Sequence, residues 1–221
     1  MVKKNKGKSI LIIGMSRFAD YLCESLLEYN NQIMIVDRNS EKVEKLAPFV
    51  TSAIVADATK EDVLKSIGVS DFDLCFVCMG DDFQSNLEVT CLLKELGARY
   101  VISLSRSDKH SKFLLRNGAD EVVHPDKDVS QRFAVTFSHD NLFDYIELEE
   151  DYSIYEISPL KTWIGKTLVE SNIRAKYNIS VVCIKGSDNK VNIAPGADYK
   201  IKDTDHLMVI AHDNDIKKIL K

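Results

Sequence analysis

The sequence predicts an α/β fold in which a doubly wound parallel sheet is followed by a second, smaller α+β domain. Three observations carry this prediction. From Ser9 to Arg38 the chain reads as an uncharged strand, a glycine turn, an amphipathic helix and a second uncharged strand ending in an acid. Strand and helix patterns then alternate strictly as far as Val123, which with right-handed crossovers gives a parallel sheet of about six strands. Beyond residue 128 the rhythm changes to short strands with turn signals, the mark of antiparallel pairing. At 221 residues the chain exceeds the usual single-domain size of about 100–150 residues. Two domains are therefore expected, over 1–127 and 146–221, with 128–145 as a connecting helix.

In order, Ser9 to Ile13 form a strand buried on both faces, broken by Gly14. Phe18, Leu22, Leu26 and Leu27 recur at helical spacing until Asn30-Asn31, and Gln32 to Val36 return as a strand that delivers Asp37. Ser40 to Phe49 read as a helix capped by Ser40, with Val43 and Leu46 inward. Thr51 to Ala56 are the third strand, and Thr59 to Ile67 a helix capped by Thr59, with Asp62 partly imitating a capping box. Phe72 to Met79 make the fourth strand, ending at Gly80. Ser85 to Leu96 follow as a helix with Leu87, Cys91 and Leu92 inside, closed by Gly97. Tyr100 to Leu104, a helix from Lys109 to Asn117 and Glu121 to Val123 complete the first domain. Asp128 to Asn141 is amphipathic, with Val129, Phe133, Val135 and Phe137 apolar. The second domain then reads as strand (153–157), helix (166–177), strand (180–185), a turn at Gly186-Ser187-Asp188-Asn189, two strands (190–193 and 207–211) and a terminal helix from Asp213.

Composition narrows the function classes. A net charge of −5 gives no electrostatic footprint for nucleic acid, and the basic cluster Lys3, Lys4, Lys6 and Lys8 reads as a solvated terminus. No apolar run approaches the roughly 20 residues that span a bilayer, so a cytosolic protein is expected. The five cysteines, Cys23, Cys75, Cys78, Cys91 and Cys183, sit in apolar segments as reduced thiols, and Cys75-x-x-Cys78 falls within a strand, where core packing is the simpler reading. No Tyr-x-x-x-Lys pair, G-x-S-x-G elbow, H-E-x-x-H or P-loop lysine motif is present, and the five histidines lack metal spacing.

What chemistry there is lies in the first turn. G-x-G-x-x-G/A followed by an acid about 20 residues on is the dinucleotide fingerprint of a Rossmann-like domain. Here it reads Gly14-Met15-Ser16-Arg17-Phe18-Ala19, then Asp37. Backbone N–H groups at a helix N-terminus favour phosphate, and Asp37 suits ribose hydroxyls and repels a 2′-phosphate. Ser16 stands where a glycine lets backbone approach the pyrophosphate, so it either crowds that position or adds a hydroxyl. Asp57 and Ala58, Met79 and Gly80, and Leu104 and Ser105 lie at the carboxyl ends of strands three to five, the edge where ligands sit in open α/β sheets. Asp57 and Thr59 have helix capping as an alternative role.

Taken together, Ile12-Ile13-Gly14-x-x-Arg17-Phe18-Ala19, Val36-Asp37-Arg38, Ala56-Asp57-Ala58-Thr59, Gly118-Ala119-Asp120-x-Val122-Val123-His124-Pro125 and Asn172-Ile173-Arg174-Ala175-Lys176-Tyr177 resemble the RCK family, regulators of potassium conductance. Within that family the likeness is to the cytosolic gating subunits of Ktr/Trk potassium uptake systems, and it covers nearly the whole chain as an RCK_N and an RCK_C domain. The resemblance implies a homo-oligomer, dimers assembling to an octameric ring. That ring would lie on the cytoplasmic face of the cell membrane against a membrane potassium channel or transporter subunit, with nucleotide (ATP/ADP or NAD(H)) in RCK_N gating the pore. Gly14, Ser16, Arg17, Phe18, Asp37, Arg38, Asp57, Ala58, Met79 and Gly80 would line that site. Leu104 replaces a basic residue of many relatives. The resemblance further implies a divalent cation, Mg or Ca, at Asp126. In RCK_C it implies cyclic di-AMP bound by Ile173, Arg174, Asn178 and Ile179, for which the two isoleucines have core packing as an equal reading. Two alternatives stay open: an NAD-dependent oxidoreductase, and an RCK module that has lost nucleotide binding and answers only to cyclic di-AMP.

Overall fold

A computed structural model describes residues 7–80, 82–149, 151–188 and 190–220; Lys3, Lys4 and Lys6 of the basic cluster and Asn189 of the expected turn lie outside these. The chain divides into two compact units, Met1–Lys127 and Asp128–Lys221.

The first unit alternates β1 (Ser9–Ile13), α1 (Arg17–Leu27), β2 (Gln32–Asp37), α2 (Ser40–Leu46), β3 (Ser52–Val55), α3 (Glu61–Ile67), β4 (Leu74–Val77), α4 (Phe83–Glu95), β5 (Val101–Leu104), α5 (Asp108–Arg116) and β6 (Glu121–Val123). All six strands pair parallel in the order β3-β2-β1-β4-β5-β6, the expected sheet. Both faces of β1 are covered, as its uncharged sequence requires. Ile10 and Ile12 pack with Ala19 and Cys23 of α1 on one side, while Leu11 and Ile13 pack with Val89 and Leu93 of α4 on the other. The strand order reverses at β1, which has β2 on one side and β4 on the other; that switch point opens a crevice at the carboxyl edge.

Three helix starts differ from expectation. The Asn39 side chain, not Ser40, caps α2 by accepting from the Lys42 N–H at 3.3 Å. Thr59 does not cap α3, because its hydroxyl donates to Asp57 Oδ1 at 2.7 Å; Lys60 holds the cap position with no side-chain bond. Asp82 caps α4, which starts at Phe83, ahead of Ser85. The inward face of α4 is Asn86, Val89, Thr90 and Leu93, with Leu87, Cys91 and Leu92 only half-buried. Polar groups won that face: Asn86 Nδ2 donates to the Leu104 carbonyl at 2.8 Å, and the Thr90 and Ser103 hydroxyls are 2.7 Å apart. All five cysteines are free thiols, with Cys23, Cys75 and Cys78 buried.

The expected helix over 128–145 runs instead as α6 (Pro125–Phe137), and Leu142–Glu149 form a strand, β7. This strand pairs antiparallel with β8 (Tyr152–Ile157), and two register shifts break the period-2 pattern that would have revealed it in sequence. The helix expected over 166–177 is two short ones, α7 (Leu168–Ser171) and α8 (Ile173–Tyr177), because Asn172 takes the left-handed conformation at φ 47°. Then come β9 (Ile179–Lys185), β10 (Val191–Ile193), β11 (His206–His212) and α9 (Asp213–Ile216), giving an antiparallel sheet in the order β10-β9-β11-β8-β7. Its core gathers Tyr155, Ile157, Ile173, Ile179, Leu207 and Val209 around Trp163, which is 1% exposed.

Candidate nucleotide site

At the carboxyl edge of the parallel sheet the first unit holds a cleft of about 880 Å³, in the range of roughly 300–1,000 Å³ that small-molecule sites occupy. Ten residues marked from sequence line it together: Gly14, Ser16, Arg17, Phe18, Asp37, Arg38, Asp57, Ala58, Met79 and Gly80. Asp126 lines it as well.

The turn after β1 explains its residues. Gly14 has φ +84°, and a Cβ there would stand 2.9 Å from the carbonyl carbon and oxygen of Cys78, so glycine alone fits between β1 and the end of β4. Ser16 settles differently from the glycine it replaces. Its backbone is extended (φ −75°, ψ 169°), which any residue adopts, and its hydroxyl oxygen turns back to accept from the Ala19 N–H at 3.4 Å. The side chain caps α1, leaving its hydroxyl hydrogen able to donate. The N–H groups of Arg17 and Phe18 lie in the first turn, where no helical carbonyl precedes them. These groups and the positive end of α1 suit a phosphate.

Asp37, at the end of β2, is less free than a simple ribose ligand would be. Its Oδ2 accepts from the Met15 N–H and its Oδ1 from the Asn39 N–H at 2.8 Å, so the carboxylate also ties the turn to β2. Asp57 and Asp82 are ionised at neutral pH. Hydrogen bonds from Thr59 hold the first below the usual carboxylate range, bonds from Ser85 hold the second, and the positive charge of Arg38 favours both ionised forms. Arg17, Arg38, Lys42 and Arg106 place four cations on the walls against these acids. Tyr21, Lys42, Asp82 and Arg106 went unmarked in sequence. Lys42 follows Asp37 by five positions, one helical turn into α2, and Arg106 follows the end of β5 by two, which is the only signal either carries.

The remaining predicted residues are not in this cleft. Arg174 and Asn178 are exposed, and Asn178 donates to Asp215 Oδ2 at 2.8 Å. Ile173 and Ile179 are 3% and 0% exposed inside the second core, so in this chain their side chains pack. Among the described residues no cluster of three or more His, Cys, Asp or Glu is arranged to hold a metal, and Asp126 alone does not supply the six or more oxygens of a hard dication. No helix among the described residues is long and apolar enough to cross a membrane.

A glycine turn on a helix N-terminus, an acid at the end of the neighbouring strand and a crevice at the switch point define a Rossmann-like binding domain, here carrying an antiparallel second unit. A TrkA-N domain model matches residues 10–125 and a TrkA-C domain model residues 152–221. The chain belongs to this TrkA-N/TrkA-C family, which is that of the Ktr potassium uptake proteins. It is 36% identical to Ktr system potassium uptake protein C of Bacillus subtilis, over 97% of this chain and 96% of that protein. To protein A of the same organism it is 33% identical, over 96% of both. The crystal structure of the GsuK RCK domain superposes with a TM-score of 0.66 at 18% identity, over 99% of this chain and 48% of that one. The GsuK channel bound to NAD does so with a TM-score of 0.66 at 18% identity, over 97% and 39%. At that identity these two establish the fold.

Proposed function

We propose that the chain is a nucleotide-sensing regulatory subunit of a membrane potassium uptake system. The observation that carries this is the cleft itself: the first-turn N–H groups of Arg17 and Phe18 and the Asp37 carboxylate converge at one switch point, in a chain whose relatives are potassium uptake proteins. Binding energy does the work. A ligand shifts the subunit between conformations only by the ratio of its affinities for them, so two nucleotides that differ in that ratio, as ATP and ADP would, set two gating levels.

An NAD-dependent dehydrogenase is disfavoured by the cleft's side chains. Asp37, Asp57 and Asp82 are engaged by backbone and hydroxyl donors, Lys42 Nζ donates to the Met15 carbonyl, and among the described residues no histidine lines the cleft to exchange a proton. Homo-oligomerisation belongs to the same reading. On α6, Val129, Phe133 and Phe137 form an exposed stripe at i, i+4, i+8. A second copy is the partner this reading assigns to it. A cation at Asp126 would need its other oxygens from nucleotide phosphates or from that second copy. For cyclic di-AMP at the second unit, exposed Arg174 is the residue to test, by Arg174→Ala.

Titration of the purified chain with ATP, ADP, NAD and NADH tests the proposal. Saturable binding of at least one is expected, together with a nucleotide-dependent change in potassium flux when the chain is added to vesicles bearing its membrane subunit. Flux that ignores nucleotide would refute the gating role.

A further inference from the structure

We propose that Lys42 is a positioning residue for the phosphate turn, acting through the Met15 carbonyl. The inference rests on reading the cleft as a nucleotide site. Both peptide groups of Met15 are claimed from the far side of the turn. Its N–H donates to Asp37 Oδ2, and its carbonyl accepts from Lys42 Nζ at 2.7 Å. Asp37 Oδ1 accepts from the Asn39 N–H at 2.8 Å, and the Asn39 side chain accepts from the Lys42 N–H at 3.3 Å. Four bonds thus close a ring through Met15, Asp37, Asn39 and Lys42, joining the β1 turn to the start of α2.

Peptide planarity gives the ring its consequence. The Met15 carbonyl and the Ser16 N–H share one trans plane and point in opposite directions. Drawing the carbonyl toward Lys42 therefore aims the Ser16 N–H the other way and keeps a partial negative charge turned aside from the phosphate. Met15 is 1% exposed, so water is a poor substitute for the ammonium. Without Lys42 the Met15–Ser16 peptide is free to turn, and a turned peptide offers a phosphate an acceptor where it needs a donor. The Met15 N–H that Asp37 accepts belongs to the preceding peptide plane, so a turn of the Met15–Ser16 peptide leaves the Asp37 carboxylate in place for a ribose.

The test compares ADP with adenosine on the full chain carrying Lys42→Met, which keeps the stem and removes the donor, and Lys42→Arg, which restores one. Lys42→Met is expected to weaken ADP about tenfold or more while leaving adenosine within about twofold, with most of the ADP affinity recovered in Lys42→Arg. Equal ADP affinity in Lys42→Met and the parent chain would overturn the role. So would a loss that disappears at high salt, because that is direct charge attraction to the phosphate. If the parent chain itself bound no nucleotide, the reading of the cleft would fall. A parent that binds with an indifferent Lys42→Met removes this inference alone.

Discussion

Gly14 is the residue on which the cleft turns, because it answers two demands at once: a positive φ and a 2.9 Å approach to the Cys78 backbone. Gly14→Ala is expected to cost at least about 2 kcal/mol of stability, read as a lower urea midpoint, since the left-handed penalty adds to the clash. An unchanged midpoint would contradict the geometry. Buried thiols give a second prediction at this scale. Burial pushes Cys75 and Cys78 to about 12 and Cys23 to about 11, from an ordinary value of 9.0. The folded state therefore holds protons that the unfolded state has released above pH 9, so the stability these groups contribute is complete below that pH and declines as pH rises toward 12. The same thiols should resist maleimide at pH 8 until the chain is unfolded. The glycine and Asp37 were legible in sequence because their types follow from backbone conformation and charge. Lys42 was not, since its part depends on a carbonyl 27 residues away that only the folded turn presents.

Among the elements, α6 carries the clearest unmet demand. None of its residues is buried, and Phe133 and Phe137 stack with ring centres 5.6 Å apart while remaining 56% and 80% exposed. Replacing both with Asp is expected to lower the mass of the assembly in sedimentation while leaving the circular dichroism of the chain unchanged. An assembly of unaltered mass would remove α6 from the interface. The parallel-sheet elements were readable because each strand is a short, largely apolar run with a helix after it. Others were hidden for physical reasons. Register shifts in β7 scramble its alternation, a left-handed Asn172 divides a helix that propensity would run together, and buried hydrogen bonds turned the polar side of α4 inward.

At the scale of the whole molecule, two units divide the labour. The first presents a charged cleft at a topological switch point, and the second presents an antiparallel sheet built around Trp163. The fold class and part of the cleft's lining could be derived from the chain alone, whereas Tyr21, Lys42, Asp82 and Arg106 could not. The roles expected for Ile173 and Ile179 were less legible, because their sequence is the same whether they face a ligand or the core, and the core holds them. Under the proposed function, the cleft between Gly14 and Asp37 senses an adenine nucleotide. Calorimetric titration of the purified chain with ATP, ADP, NAD and NADH, repeated on Asp37→Ala, addresses it most directly. Saturable binding of at least one of them is expected at one site per chain, weakened about tenfold or more by the substitution, which removes both the ribose acceptor and the tie to Met15. Absence of binding by all four at millimolar concentration, or binding indifferent to Asp37, would contradict it.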